Sequence, residues 1–334
     1  MTKKIIRHFA AVLLGCFLCA QVYSQHVTEF LFSETAPDYI RETMQDNAKA
    51  VFVEINRAYD QNKPGLALSL SNVTEDASKR IQTLWATSHF YCTETSITTR
   101  VLKSLNNYQV RNIPVFFIQG SNREDRYQDI VIEFTTGGKI SDMYIAIAPH
   151  QYAKIFENSN EVKDLRYRQM IVDLVENFRT AYNRKDMPFL EDIYSDDALI
   201  ITGKVLNPQK KLHDVPVAYN QTQIQYSVQN KKQYLANLKR VFEGNSYINI
   251  KFDGIEVTRH EGNPNIYGVT LKQDWSSGDY HDEGWLFLMI DYEDENNPLI
   301  WVRTWQPLKD PSTGKDVRYN TEDIFGLGDF RLKK

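Results

Sequence analysis

Two segments of the chain alternate apolar and polar residues with the period of an amphipathic helix, one in each half of the sequence. Each segment closes on an Ala-Tyr pair, and the apolar residues of both fall on one helical face at the same spacing. Any two amphipathic helices share this period, so the helices alone do not establish a duplication. The apolar positions are Ala48, Val51, Phe52, Ile55, Ala58 and Tyr59, then Ile171, Leu174, Val175, Phe178, Ala181 and Tyr182.

Each half of the chain then ends in a pattern typical of a β-hairpin. In the first half, Asp129 to Phe134 leads through Gly137-Gly138, which can adopt the positive φ of a turn, into Met143 to Ile147. The second half has the same order of strand, polar turn and strand. It reads Trp285 to Asp291, then Asn296-Asn297-Pro298, then Leu299 to Trp305.

The repeated order of helices and strands predicts an α+β fold with two tandem cone-like domains. In each domain, N-terminal helices pack on a curved antiparallel sheet, and two such copies can bury sheet faces between them. A chain of 334 residues is long enough for two domains. The predicted boundaries are a signal peptide at 1–24, a divergent first domain at 36–156, a second domain at 165–308 and a C-terminal tail at 309–334.

The N-terminus has the features of an export signal. A basic start precedes an apolar run over residues 10–22, and the residues before Gln25 suit cleavage. A lipoprotein is the alternative, because the residues up to Cys16 loosely resemble a lipid-attachment box, although Cys16 lies inside the apolar run. We expect a periplasmic or extracellular protein without a transmembrane segment after cleavage. Cys92 would be its only cysteine, so no internal disulfide is expected.

Charge and motifs restrict the chemistry further. The net charge is −4 and no basic stripe is visible, which excludes a typical nucleic-acid-binding protein. The sequence contains no dinucleotide fingerprint, no phosphate-binding loop and no Gly-x-Ser-x-Gly elbow. Its histidines do not have the spacing of metal ligands. We therefore expect no cofactor and no metal site.

The order helix, helix, strand, helix and four strands, with Phe178 to Asp186 and Ser195 to Ala198, resembles the nuclear transport factor two-like superfamily. This cystatin-like cone also includes ketosteroid isomerases and SnoaL-type polyketide cyclases. The resemblance covers Leu165 to Pro307 well and Ala36 to Phe156 weakly, and is strongest to exported bacterial proteins of undefined activity. It implies a pocket between the concave sheet face and the helices. No catalytic motif of the family is matched, so no catalytic residue is transferred.

The aromatic-rich last strands supply the predicted ligand-binding residues. Trp301, Arg303 and Trp305 alternate along one strand, so they are predicted to share a face. On a concave face, an arginine between indoles would suit an anionic or sugar-like ligand. A structural salt bridge among core tryptophans is the alternative. The predicted ligand-binding residues are Trp275, Trp285, Trp301, Arg303 and Trp305.

The candidates for catalysis lie at a turn between two of these strands. His281, together with Asp274 or Asp282, could form an acid–base pair, because a histidine beside a carboxylate is the usual arrangement for proton transfer. A solvated turn is the alternative, since Ser276 to Asp279 is polar. Catalysis would require Asp274, His281 and Arg303 to converge on one cavity.

The sequence therefore leads to two main functional hypotheses. The first is an exported, non-catalytic protein that binds a small molecule or a protein partner through the cone pocket or the curved sheet. The second is an acid–base enzyme of the isomerase, cyclase or hydrolase type that uses the pocket of the second domain. A purely structural protein, with its sheets covered by partner chains, is a further possibility.

Overall fold

The computed structural model describes residues 27–104, 107–119, 126–157, 162–206, 223–278, 280–310, 314–317, 319 and 323–330. The predicted signal peptide and the alternative lipid-attachment site lie outside the described residues. Within them, no helix is both long and apolar enough to cross a membrane.

The first unit consists of two long helices against a six-stranded sheet. The sheet order is β1-β3-β4-β5-β6, with the short β2 paired to β4, and every pairing is antiparallel except that of β1 with β3. β1 lies before Ala36, so the sheet recruits residues that precede the predicted boundary. The elements are β1 Glu29–Ser33, α1 Asp38–Asp60, α2 Glu75–Thr87, β2 Phe90–Tyr91, β3 Ser96–Ser104, β4 Asn107–Phe117, β5 Tyr127–Phe134 and β6 Ile140–Ile145.

Local sequence explains where these elements begin and turn. The Thr74 hydroxyl accepts a hydrogen bond from the Ala77 backbone N–H and so caps α2. The β5–β6 hairpin turns through Gly138, whose φ of 84° lies in the left-handed region that glycine tolerates. The buried face of α1 is the predicted one, and it packs with Trp85 and Phe134 in the first core. Cys92 is fully buried in the same core.

The second unit has three helices before its first strand and one between strands. Its sheet order is β8-β7-β12-β11-β10-β9, antiparallel except for the β7–β12 pair. The elements are α3 Pro149–Glu157, α4 Val162–Asn183, α5 Met187–Ile193, β7 Tyr194–Leu206, β8 Gln223–Asn230, α6 Lys231–Gly244, β9 Asn249–Arg259, β10 Ile266–Ser277, β11 Tyr280–Asp291 and β12 Leu299–Pro307. The predicted α+β class with two sheet-and-helix units is confirmed.

The helix α6 is important because it forms one wall of the candidate site. Asn230 and Gln233 make a capping box at its start, in which each side chain accepts from the other residue's backbone N–H. Its apolar side chains, with those of α4 and the inner face of the sheet, form the second core. The sheet face covered by α4 and α6 is called the inner face below.

The two units meet where α4 packs on the outer face of the first sheet. Arg111 on β4 makes a two-pronged ion pair with Glu176 on α4, with Nη2–Oε1 2.5 Å and Nη1–Oε2 2.9 Å. The backbone N–H of Ile147 donates to Glu176, and that of Ile145 donates to the Thr180 hydroxyl. The helix α4 is therefore shared by both units.

The C-terminal tail docks on the outer face of the second sheet. Phe325, Leu327 and Phe330 pack against a cluster that includes Phe287 and Met289. The rings of Phe330 and Phe287 stack with their centroids 5.6 Å apart. This contact covers apolar side chains that would otherwise face solvent.

Candidate functional site

A cavity of about 440 Å³ lies between the inner face of the second sheet and helix α6. This volume is in the range of small-molecule sites. Strands β10, β11 and β12 form its floor. The side chains that determine its chemistry are Tyr234, Gln273, Trp275, Asp282, Arg303 and Trp305.

Arg303 is a buried cation in the wall of this cavity. It lies on β12 between Leu288 of β11 and Ile200 of β7, so rigid strands hold it on both sides. Only 5% of its surface is exposed, and no ion pair among the described residues involves it. Its Nε and Nη1 atoms have no hydrogen-bond partner there. The alternative of a structural salt bridge therefore finds no partner in the described part of the chain.

The groups in contact with Arg303 are tyrosine side chains, and the Asp282 carboxyl acts on it from across the same cavity without forming an ion pair within 4 Å. Its guanidinium carbon lies 5.0 Å from the centroid of the Tyr234 ring, a cation–π geometry, and Tyr182 is near enough to act on its charge. The Tyr182 hydroxyl is 3.2 Å from that of Tyr194 and 2.5 Å from that of Tyr234. Burial opposes the charge of Arg303, but the three tyrosines raise its pKa above the ordinary value. Arg303 therefore stays charged.

Two indoles form the flat walls. Trp305 lies against Gly284, where an added Cβ would be 2.5 Å from the indole Nε1, so a glycine is required for this close approach. Trp275 pairs across strands with Asp282, and its Nε1 donates to the Ser277 hydroxyl at 3.0 Å. A planar ligand between these walls would replace water next to apolar surface.

Asp282 is the acidic group of the cavity. Its removal from water raises its pKa to about 6, although Tyr280, His281 and Arg303 act in the opposite direction. The Tyr280 hydroxyl donates to Oδ2, and Oδ1 has no partner among the described residues. The sequence offers Asp282 only as an alternative to Asp274 in an acid–base pair with His281. Its pairing with Trp275, which puts both on one face, was the available signal.

The expectation that Trp301, Arg303 and Trp305 share one face of the sheet is wrong for Trp301. The register of β12 shifts between Ile300 and Val302 relative to β7, so a bulge interrupts the alternation. Trp301 consequently packs with Val302 and Phe287 on the outer face, while Arg303 and Trp305 face the cavity.

Trp285 also lies outside the cavity. It is the cross-strand neighbour of Lys272, whose ammonium lies 5.3 Å from the centroid of the indole ring. Neighbouring residues of a strand point to opposite faces. Since Leu286 is in the inner core, Trp285 is on the outer face.

Asp274 and His281 approach each other, but not Arg303. His281 Nδ1 is 3.5 Å from Asp274 Oδ1, and Nε2 is 3.5 Å from Glu283 Oε1. About half of the His281 side chain is exposed, and Lys309 pairs with Glu283 at 2.7 Å. The alternation of β10 and β11 puts this cluster on the outer face. The predicted convergence of Asp274, His281 and Arg303 on one cavity is therefore wrong.

Comparisons with known proteins find similarity to solved structures at low sequence identity. No protein-family model and no curated protein matches the chain. A chain of naphthalene 1,2-dioxygenase is similar at 7% identity, over 51% of this chain and 93% of that one, with a TM-score of 0.36. An NTF2-like protein from Cytophaga hutchinsonii is 14% identical over 42% of this chain and 97% of its own, with a TM-score of 0.30. A protein with a cystatin-like fold from Caulobacter vibrioides is 11% identical over 42% of this chain and 89% of its own, with a TM-score of 0.30.

These likenesses are too weak to indicate an activity or a ligand. The fold assignment rests on the elements themselves, with helices α4 and α5, strand β7, helix α6 and four consecutive strands closing over one inner face. This is the α+β arrangement of helices on a curved, mostly antiparallel sheet that the sequence predicts. The same fold is compatible with catalysis and with binding alone, so the function has to be inferred from the cavity.

Proposed function

We propose that the second domain binds a small organic anion with a flat apolar body. The observation that carries this proposal is the charged Arg303, buried in a cavity wall with two guanidinium nitrogens that lack partners among the described residues. A buried charge without a hydrogen-bonded ion-pair partner is costly for a folded protein. A ligand oxyanion would neutralise it and accept a charge-assisted hydrogen bond from the Nε–H or an Nη1–H group.

The remaining walls favour a planar ligand. Trp275 and Trp305 present indole surfaces, and Gln273 supplies an amide that can bind a second polar group. The cavity is large enough for a ligand of one or two rings. The role is proposed to be binding without catalysis, because the acid–base pair expected from the sequence lies on the other face of the sheet.

The test uses three ligands that share one flat apolar body and carry a negative, neutral or positive head group: cinnamate, cinnamyl alcohol and cinnamylamine. Isothermal titration calorimetry of the protein at neutral pH should give saturable binding for cinnamate and much weaker binding for the other two. Removing the cation with Arg303→Met should weaken cinnamate binding by at least about 30-fold, since a buried charged hydrogen bond is worth about 2–5 kcal/mol.

Two tryptophans of the same strand provide a matched control. Trp305→Leu removes a cavity wall and should weaken cinnamate binding, whereas Trp301→Leu removes an indole from the outer face and should leave it unchanged. If cinnamate binds no better than the alcohol, or if both tryptophan variants have equal effects, the pocket is not the anion site.

A second candidate function is acid–base catalysis by Asp282. Its specific support is a pKa of about 6 for a carboxyl that lines the same cavity as Arg303. Proton exchange between heavy water and the α-carbon of keto acids, followed by NMR, would measure this activity without a known substrate. The exchange should rise as the pH passes about 6, and Asp282→Asn should abolish it. Exchange that equals the buffer rate for every keto acid leaves binding as the only role.

Export is proposed on the N-terminal sequence alone. The basic start and apolar run support cleavage before Gln25. Mass spectrometry of the protein recovered from its native cell should find a mature N-terminus at Gln25. A lipid on Cys16 would favour the lipoprotein alternative, and an intact N-terminus in the cytoplasm would contradict export.

A further inference from the structure

We propose that the groove between the two units is a second binding site, which takes an organic ammonium ion with an apolar body. The groove has a volume of about 320 Å³ and lies between β5, α4, α5 and the turn that joins β11 to β12. It is separate from the cavity at Arg303, with which it shares no lining residue. Its proposed ligand therefore has the opposite charge.

The lining of the groove is acidic. Carboxylates come from Glu133 of the first unit and from Asp173, Asp192 and Glu295 of the second, and no lysine, arginine or histidine lines the groove among the described residues. Two arginines outside the lining pair with two of these carboxylates. Arg111 Nη1 is 3.8 Å from Asp173, and Arg166 pairs with Glu295. The groove surface itself presents acceptors, and no cationic side chain of the described residues lines it.

Two buried polar atoms in the lining have no hydrogen-bond partner among the described residues, which is evidence for a ligand independent of the acidic lining. Tyr292 is 1% exposed, and its hydroxyl has no hydrogen-bond partner among the described residues. The Asn177 amide nitrogen donates to the Asp173 carbonyl, which fixes the side chain and leaves Oδ1 as a buried acceptor without a donor in the described part of the chain. Buried polar groups are normally paired, so a ligand that carries N–H donors would complete them.

The geometry favours an organic cation over a metal ion. Three metal-ligating side chains come within 4.8 Å of one another only at Asp274, His281 and Glu283 among the described residues, and those lie outside the groove. The groove carboxylates are therefore too dispersed to hold one ion. The other wall is apolar, formed by Met170, Leu174, Phe189, Ile193 and Pro298. An alkyl chain with an ammonium head matches both walls.

Glu133 would respond directly to the ligand. Its burial, with Asp173 and Asp142 nearby, raises its pKa to about 8, so much of it is protonated at neutral pH. An ammonium ion beside it would stabilise the carboxylate and release a proton. The charged and titratable groups packed around it are Asp142 and Tyr144 on β6, Arg111 on β4, and Asp173 and Glu176 on α4.

Hexylamine, hexanol and hexanoate test this site as a matched series. Isothermal titration calorimetry at about pH 8 should give saturable hexylamine binding, with weaker or no binding for the other two. Glu133→Gln, which keeps the shape and removes the charge, should weaken hexylamine binding by at least about tenfold, or about 1.4 kcal/mol. Tyr292→Phe should weaken it by a smaller factor, and it provides a second variant if Glu133→Gln unfolds the protein.

The control variant is Glu293→Gln, which removes an exposed carboxylate next to Tyr292 that does not line the groove. It should leave hexylamine binding unchanged, and so should Arg303→Met. Equal losses in Glu133→Gln and Glu293→Gln would show that hexylamine binds by general surface charge. That outcome, or equal binding of hexylamine and hexanol, would overturn the proposal.

Discussion

At the scale of single residues, the burial of Arg303 should lower the stability of the unliganded fold. A buried guanidinium with unsatisfied nitrogens costs free energy that the unliganded protein does not recover. Replacing it with methionine, of similar length and without charge, should raise the free energy of unfolding of the unliganded protein by about 1 kcal/mol. Urea denaturation followed by circular dichroism measures this, and a loss of more than about 1 kcal/mol would make Arg303 a structural residue.

The raised pKa of Glu133 predicts how the free energy of unfolding depends on pH. Its pKa is raised from the ordinary 4.5 to about 8 in the folded protein, so the folded state holds a proton that the unfolded chain releases. Glu133 therefore stabilises the fold fully below about pH 4.5, and this contribution is lost as the pH rises through about 8. Measured across this window, the stability of the wild type should fall relative to that of Glu133→Gln. A constant difference would show that Glu133 is ionised throughout.

The sequence predicted part of the candidate site at this scale. Alternation along the last strand predicts Arg303 and Trp305, the aromatic-rich strands suggest Trp275, and all three line the cavity. Trp301 was assigned to the wrong face because a one-residue bulge reverses the alternation and leaves no clear mark in the sequence. Asp282 was passed over in favour of Asp274, since only the register of β10 and β11 decides which carboxylate faces inward.

At the scale of elements, Gly284 of β11 leaves the space that the Trp305 indole occupies. Gly284→Ala would put a methyl group 2.5 Å from the indole and 2.6 Å from the Gln306 carbonyl oxygen. The resulting overpacking should lower the free energy of unfolding by about 1–3 kcal/mol and displace the indole. Gly244→Ala at the end of α6 is the matched control, because nothing lies within 4 Å of its new methyl group. Similar stability of both variants would mean that the indole moves aside freely.

Strongly periodic elements were predicted well, and short or paired ones less so. The helix after Asn230 and the four long strands follow from their caps and alternation, and each is present. β1 is five residues long and pairs with β3 in parallel, a long-range contact that local patterns do not encode. The exposed Leu31 also weakens the alternation of apolar and polar residues by which a strand is predicted from sequence.

At the scale of the whole molecule, a buried ion pair joins the two units. The sequence suggested sheet faces buried between copies, whereas the outer face of the first sheet packs on helix α4. Gln109 and Arg111 are polar and alternate with core residues, so they have the pattern of solvent-facing positions. Only the packing of the second unit buries them. This arrangement could not be derived from either half alone.

Arg111→Met tests the energetic coupling of the two units. It leaves Glu176 buried without its cation and should cost about 3–5 kcal/mol of the free energy of unfolding. The double variant Arg111→Met, Glu176→Gln should recover much of that loss, because no unpaired charge remains. Denaturation of the wild type, Arg111→Met, Glu176→Gln and the double variant measures these values. Additive losses in the double variant would contradict an ion pair between these side chains.

The central claim is that Arg303 contacts an anion in the cavity of the second domain, and the NMR signal of its Nε–H group reports this contact directly. The signal can be assigned from its absence in Arg303→Lys, and cinnamate can then be titrated into the nitrogen-15-labelled protein. We expect a saturable shift of this signal that cinnamyl alcohol does not reproduce. A signal that stays in place while cinnamate binds elsewhere, or while nothing binds, would show that Arg303 is not an anion-binding residue.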